Sequence, residues 1–517
     1  MTRARLWHQN VLLTVLLGLS ILTAASSQAE DTTRMNVRMN VLFVVFDDLN
    51  MDIGAYGQPD ALTPAIDEFA KQSVRCDQAH CIGTFCAPSR ASFLSGLYPS
   101  TTGAYGGERL YEIEKAKNVR SLFAHFLQHD YRVWGTGKLF HGNWDPDIIN
   151  AQFDEYFIAN RDAAPKAYYN GEAKRHPGNP RIREKDASNG SWGPLSVVPD
   201  AKTYGPGWEG WGPFHYVSDD DRDLVPDEQY TQWAIERLRR AKDENPFFMS
   251  VGYMKPHTPL YAPKKFFDMY EPRNLTMRPV LQDDLDDVVP VMRETSMYSD
   301  MWDRISAYPN AEAIWRDYYR AYLACTSFAD AEFGKLMTAL KQSGHADNTI
   351  VIVTSDHGYH FGDKNRIGKG SPWQGTTRVP MLVRIPGMTQ DGAICKQTVS
   401  LVDLYPTLID LCGLSDNPHG PDLPLDGHSL LPLLADVDAR WQGPSVALNY
   451  CYSKAWTVSD AEYRYVLDPD GNEELYDLVR DPNEWRNVVG QPEYARVRNQ
   501  LRGKLLELSG GKRPFHQ

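Results

Sequence analysis

A chain of 517 residues is long for one globular domain and short for three ordinary ones. Hydrophobic residues make up 42% and aromatic residues 11%, which excludes disorder, collagen-like sequence and low complexity as the main state. The formal net charge is −13, and it is more negative still without residues 1–29, which hold two arginines and no acid. This balance argues against a nucleic-acid binder or a protein held on anionic membranes, but leaves room for a locally positive pocket.

Arg3 and Arg5 precede an apolar run of 15 residues, Val11 to Ala25, and the small residues around Ser27-Gln28-Ala29 follow. That order is the one found in secretory signal peptides, and the run is short of the roughly 20 residues of a membrane span. No second long apolar stretch occurs. The expectation is a signal peptide over residues 1–29 and an exported product, secreted or periplasmic, with no membrane insertion after cleavage. Seven cysteines do not make a disulfide scaffold, and their spacing assigns no bridge.

Val41 to Phe46 is an unbroken apolar run of strand length, and similar runs recur at Phe247 to Val251, Thr349 to Thr354 and Met381 to Ile385. Such runs read as strands covered on both faces. Helical spacing lies between them, at Tyr230, Trp233, Ala234 and Leu238 and again around Leu323 to Leu340. The alternation predicts an α/β sandwich around a mostly parallel sheet, occupying residues 38–435. Residues 159–226 differ, being rich in Gly, Pro and charge, and read as a long loop that is either functional or disordered, with Trp192, Trp208 and Trp211 arguing against full disorder. From about residue 436, short strand-like runs alternate with turns such as Asp468-Pro469-Asp470-Gly471, and Glu493 to Leu508 is helical. These features predict a smaller C-terminal α+β region, residues 436–517.

Asp47-Asp48 directly follows the first predicted strand. In open α/β sheets ligands bind beyond the carboxyl ends of strands. Two adjacent carboxylates there repel unless a cation joins them, and their hard oxygens suit calcium or magnesium. A helix cap or a solvated loop explains most Asp-Asp pairs, so this pair alone decides little. The Thr349–Thr354 strand ends in Ser355-Asp356-His357-Gly358, which brings a second acid and a histidine to a strand end, with capping by Asp356 as the alternative.

Cys86-Ala87-Pro88-Ser89-Arg90 continues to Leu94, Ser95 and Gly96. Over these eleven positions the chain resembles the type I sulfatase signature, C-x-P-S-R followed by x-x-x-L-[ST]-G. The resemblance extends to Gly54-Ala55-Tyr56-Gly57, to Val402 through Leu408, to Asp426 through Leu430, and to Leu475-Tyr476-Asp477-Leu478 with Asp481-Pro482 and Asn487. Within the family, Gly137-Lys138-Leu139-Phe140-His141 and Gly252-Tyr253-Met254-Lys255-Pro256-His257 look most like iduronate-2-sulfatases. Lys369, 13 positions after Asp356, falls where that subgroup keeps an active-site lysine.

The resemblance implies an alkaline-phosphatase-like sandwich and a sulfuric ester hydrolase acting on sulfated carbohydrate, first of all a 2-O-sulfated uronate at a chain end. It implies that a formylglycine-generating maturation enzyme reads Cys86, Pro88 and Arg90 and oxidises Cys86. It implies that Asp47, Asp48, Asp356 and His357 hold one calcium ion together with the modified Cys86. Many sulfatases have Asn where His357 stands, and the iduronate type shares the histidine. The hydrated aldehyde is a geminal diol, whose two oxygens attack sulfur and then expel sulfate in turn.

Further roles follow from that scheme. Arg90 holds sulfate oxygens, Lys138 and Lys369 neutralise sulfate charge, and His257 or Lys369 gives the leaving alkoxide its proton. His141, near Lys138, takes the diol proton; imidazole suits such work because its ordinary pKa is about 6.5. Outside a motif, such lysines are usually solvated charges and such histidines structural. Trp192, Trp208 and Trp211 either stack on sugar rings or pack within the long loop. Asn189 and Asn274 begin glycosylation tripeptides, which matter only in a eukaryotic secretory host. A phosphate or phosphonate ester hydrolase on the same core and an inactive carbohydrate-binding homologue remain as alternatives.

Overall fold

Strand β1, Asn40–Asp47, is buried along its whole length, as its apolar run requires. Side chains alternate between its two faces. Phe46 meets Phe333 of the 32-residue helix Ala311–Gln342 edge-on, with ring centroids 6.4 Å apart. Phe43, on the opposite face, meets Phe93 of the helix Cys86–Ser95 at 6.1 Å. Ala234 and Leu238 of the helix Pro226–Arg240 join the Phe46 side. Helices therefore cover both faces of the sheet, which makes three layers.

The computed structural model describes residues 38–108, 110–141, 146–159, 220, 224–242, 245–258, 260, 262–294, 300–414 and 417–511. The expected signal peptide, Asn189 and the three loop tryptophans lie outside them. The remaining strands, in chain order, are β2 (Val74–His80), β3 (Arg132–Gly137), β4 (Glu155–Phe157), β5 (Phe247–Pro256), β6 (Thr349–Ser355), β7 (His360–Phe361), β8 (Ile367–Gly368), β9 (Met381–Arg384) and β10 (Ile394–Ser400). β11 (Ala447–Tyr450), β12 (Trp456–Ser459), β13 (Tyr463–Leu467) and β14 (Glu473–Asp477) complete the set.

The large sheet has the order β10-β2-β9-β6-β1-β5-β3-β4. Its neighbours are parallel except around β9, which runs antiparallel to both β2 and β6. The sheet is thus mostly parallel, as expected. The Met381 run announced a strand but not its direction, because apolarity reports burial and carries no chain sense. β2 and β10 escaped the apolar-run reading altogether, since both interleave charged or polar residues.

The C-terminal strands β11 to β14 form a separate antiparallel sheet with the helix Ala495–Leu508 against β12 and β13. Asp468 to Gly471 is the predicted turn, with Gly471 left-handed at φ 89. This small sheet is sewn to the segment just before Cys86. The Tyr450 N–H donates to the Ile82 carbonyl at 2.7 Å, and the Thr84 N–H to the Tyr450 carbonyl at 3.0 Å. All seven cysteines are buried thiols. Among the described residues no helix is long and apolar enough to cross a membrane.

Candidate active site

Four strands end at one edge of the large sheet. β1 delivers Asp47 and Asp48, β6 delivers Asp356 and His357, β5 leads into His257, and β3 leads into Lys138 and His141. The registers Phe46 to Ser355, Asp47 to Pro256 and Gly137 to Gly252 bring these ends level. Gly137 is left-handed at φ 75, and a side-chain carbon there would collide with the Gly252 carbonyl oxygen. Glycine is what lets the chain leave β3 and turn Lys138 toward Cys86.

Asp48 is left-handed at φ 67, a conformation that aspartate holds only with help. The Tyr322 hydroxyl donates to the Asp48 carbonyl and accepts from the Asn50 N–H, both at 2.8 Å. The Asp48 N–H donates to Asp356 Oδ1 at 3.2 Å, and the Leu49 N–H to Ser355 Oγ at 2.9 Å. Tyr322→Phe leaves a buried N–H and a buried carbonyl without partners. It is expected to lower stability by about 1–3 kcal/mol and to reduce kcat/KM by loosening Asp48. Urea unfolding and steady-state kinetics check this, and unchanged stability would mean the turn holds itself.

Cys86 opens its helix, with Phe85 extended before it, and its side chain is buried. Its Sγ lies 3.2 Å from Lys369 Nζ, 3.3 Å from His357 Nε2, 3.5 Å from Lys138 Nζ and 3.6 Å from Asp47 Oδ1. His141 completes the ring by favouring the charged form of Cys86. Arg90, one turn on, donates through Nε to Asp356 Oδ2 at 2.9 Å and through NH1 to the Lys138 and Leu139 carbonyls. Lys138 pairs with Asp47, Lys369 with Asp48 Oδ1 at 2.6 Å, and His257 Nε2 stands 3.9 Å from Asp48 Oδ2. All ten residues singled out in the sequence meet here.

One ligand atom from each of Asp47, Cys86, Asp356 and His357 lies within 4.8 Å of the others, and Asp47, Asp48, Cys86 and His257 form an overlapping set. The donors fit a divalent cation. Carboxylate oxygens suit a hard ion, and Asp48 Oδ2 is buried without a hydrogen-bond partner among the described residues. His357 directs its Nδ1–H to the Gly358 carbonyl at 2.9 Å, which turns Nε2 toward the Asp48 and Asp356 carboxylates.

The electrostatics agree. Burial pushes the Cys86 thiol up, but Lys138, Lys369, His357 and His141 outweigh it and hold it well below the ordinary thiol value. Burial likewise raises Asp47, and Lys138, His257 and Arg90 overcome it and keep the carboxylate ionised. Burial opposes charge on His357, yet Asp356 carries its imidazole up to about 9. A carboxylate cluster built to hold positive charge acts in that direction.

Several supporting residues were not singled out in the sequence. Lys255 stood inside a quoted motif without a role. It is buried, burial lowers its pKa to about 8, and it donates to the His257 carbonyl at 3.0 Å within electrostatic reach of Asp47 and Asp48. Asp227 accepts the Met254 and Lys255 N–H groups at 2.8 and 2.9 Å, so it holds the end of β5. Ser89 ties the active helix to the Asp356 carbonyl. The apolar spacing around Tyr322 marked a core helix and concealed its hydroxyl.

A sequence profile of the sulfatase family matches residues 39–414, and one described as N-sulphoglucosamine sulphohydrolase, C-terminal, matches residues 362–510. The chain is 32% identical over 480 residues to a sulfatase of Formosa agariphila, covering 92% of this chain and 87% of that one. It is 29% identical over 457 residues to iduronate 2-sulfatase of Homo sapiens, covering 81% and 76%. A solved structure of a protein in complex with its substrate D-glucosamine-2-N,6-O-disulfate superposes with a TM-score of 0.69, over 92% of this chain and 99% of that one. At 19% identity, that likeness is one of fold. The chain belongs to the sulfatase family, with its alkaline-phosphatase-like sandwich and small antiparallel C-terminal sheet. Its activity is that of a sulfuric ester hydrolase.

Proposed function

We propose that this sulfatase is exported and removes sulfate from a carbohydrate, namely a 2-O-sulfated uronate at a chain end. Residue 86 acts as formylglycine, made from Cys86 by a maturation enzyme, and one calcium ion sits among Asp47, Asp48, Asp356, His357 and residue 86. The observation that carries the reading is the ring of Lys138, Lys369, His357 and His141 around position 86, with Arg90 one turn behind it. The uronate part rests on the G-K-L-F-H and G-Y-M-K-P-H segments, and on likeness to a protein named iduronate 2-sulfatase. Export rests on the order of charge, apolar run and small residues in positions 1–29.

When bound, the calcium ion supplies positive charge beside the sulfate, and the hydrated formylglycine supplies an oxygen nucleophile that a thiol does not. The chain's own residues do the rest. Arg90 is locked by Asp356 and two carbonyls while its NH2, 3.7 Å from Asp47 Oδ1, makes no hydrogen bond among the described residues, so that nitrogen meets a sulfate oxygen. Lys138 and Lys369 flank position 86 and hold the sulfate by charge. His141, whose side chain acts on position 86, takes the proton from residue 86. His257 has its Nδ1–H on the Thr258 carbonyl, which orients the ring so that Nε2 returns a proton to the leaving alkoxide.

The test is sulfate release from a disaccharide ending in 2-sulfated iduronate, by protein shown by mass spectrometry to carry formylglycine at residue 86. Cys86→Ala serves as the blank. Release by the mature form alone is the expected result. No release, with activity on other sulfated saccharides, removes the uronate assignment. Preferential turnover of phosphate or phosphonate monoesters run alongside would replace the sulfated carbohydrate as substrate.

A further inference from the structure

Tyr452 is the only aromatic side chain among the well-exposed large hydrophobics of the described residues, at 46% exposed. Its position is not arbitrary. The ring stands edge-to-face on Phe85, the residue before Cys86, with centroids 5.4 Å apart at 88°. Its N–H donates at 3.1 Å to the carbonyl of Gly370, the residue after Lys369. Tyr452 thus touches both segments that meet at position 86, and it is exposed where Phe85 and Gly370 are buried.

The turn that carries it is firmly set. The Cys451 N–H donates to the Ala455 carbonyl at 3.0 Å, and the Lys454 N–H to the Cys451 carbonyl at 2.9 Å. Ser453 is buried beneath and reaches the Met292 sulfur at 3.4 Å. Lys454, exposed and left-handed at φ 67, follows two residues later in the same turn, and it makes no ion pair among the described residues. An exposed aromatic ring and an exposed cation two residues apart in one fixed turn stand out on a chain of net charge −13.

We propose that the β11–β12 turn is a carbohydrate subsite: Tyr452 stacks on the sugar ring next to the one bearing the scissile sulfate, and Lys454 pairs with an anionic group on that neighbouring sugar. The proposal rests on the carbohydrate reading above and adds where the second sugar lies. A rigid tyrosine gives contact area at small entropic cost, and the amphipathic face of a pyranose matches it. The small C-terminal sheet thereby takes part in selecting substrate as well as closing the fold.

The test uses the mature enzyme and a heparin-derived tetrasaccharide ending in 2-sulfated iduronate. Tyr452→Ala is expected to raise KM about tenfold while kcat stays within about twofold, and Tyr452→Trp to restore the wild-type KM. Lys454→Ala is expected to raise KM by a factor that shrinks as salt is added. An unchanged KM in Tyr452→Ala overturns the subsite. So does a fall in kcat that Tyr452→Trp fails to rescue, since that marks a structural role. If the wild type leaves the tetrasaccharide intact, the uronate reading fails separately. The subsite is then read from binding of a carrageenan tetrasaccharide to Cys86→Ala protein with and without Tyr452→Ala. Weaker binding by the double variant supports the subsite, and equal binding overturns it.

Discussion

Arg90→Met is expected to lower stability by about 3–5 kcal/mol and kcat/KM by about a hundred- to a thousandfold. The guanidinium is 1% exposed and holds four groups at once: Asp356 Oδ2, the Lys138 and Leu139 carbonyls, and, at 3.7 Å, Asp47 Oδ1. Removing it leaves the buried Asp356 carboxylate with His357 as its remaining cationic neighbour, which costs more than the net worth of the Arg90 pair. Arg90→Lys keeps a charge but not the planar fork, so it restores part of the stability and little of the rate. Guanidinium unfolding reads the first effect and sulfate release the second. Mass spectrometry at residue 86 separates lost catalysis from lost maturation. Near-native stability in Arg90→Met would show that the carboxylates do not depend on this residue.

Arg464→Met should produce a loss of similar size from much farther along the chain. Its guanidinium and the Glu484 carboxylate form an ion pair with side chains 0% and 4% exposed. Glu484 Oε2 accepts the Gln374 N–H at 2.8 Å, its carbonyl accepts Lys364 Nζ at 2.7 Å, and Arg464 NH1 donates to the Pro372 carbonyl at 3.0 Å. Lys364 also pairs with Asp284 at 2.7 Å. These bonds clamp residues 364–374 at both ends, and Lys369 lies between them. We expect a stability loss of about 3–5 kcal/mol from the unpaired Glu484, and faster hydrogen exchange confined first to residues 364–374. The rate of sulfate release should fall with it, because Lys369 loses its fixed approach to Asp48. Unchanged exchange over 364–374 would sink the claim that the C-terminal sheet positions this lysine.

The two variants differ in how far the sequence foretold them. Arg90 sits in a contiguous motif, where a Cys, a Pro and an Arg at fixed spacing on one helix declare their proximity. Arg464 and Glu484 have no such signature. An isolated Arg or Glu in a strand-and-turn region reads as surface charge, and only packing reveals that both are buried. The same holds for Lys255 and Asp227 behind the site, and for the direction of β9.

The sequence by itself determined the layered α/β class, the strand ends that carry Asp47, Asp48, Asp356 and His357, and the motif helix of Cys86 and Arg90. Those are local properties: unbroken apolar runs report strands covered on both faces, and short motifs span a turn or two of chain. Tertiary structure alone decided what holds and surrounds these residues. The left-handed turn at Asp48 depends on Tyr322, which is 272 residues from its other partner Asn50. The approach of Lys369 depends on the C-terminal sheet, and Tyr452 reaches Phe85 only because β11 is bonded to the segment before Cys86. A hydrophobic pattern states that a residue is buried but not against what, so partners distant in the chain become known only when the core closes.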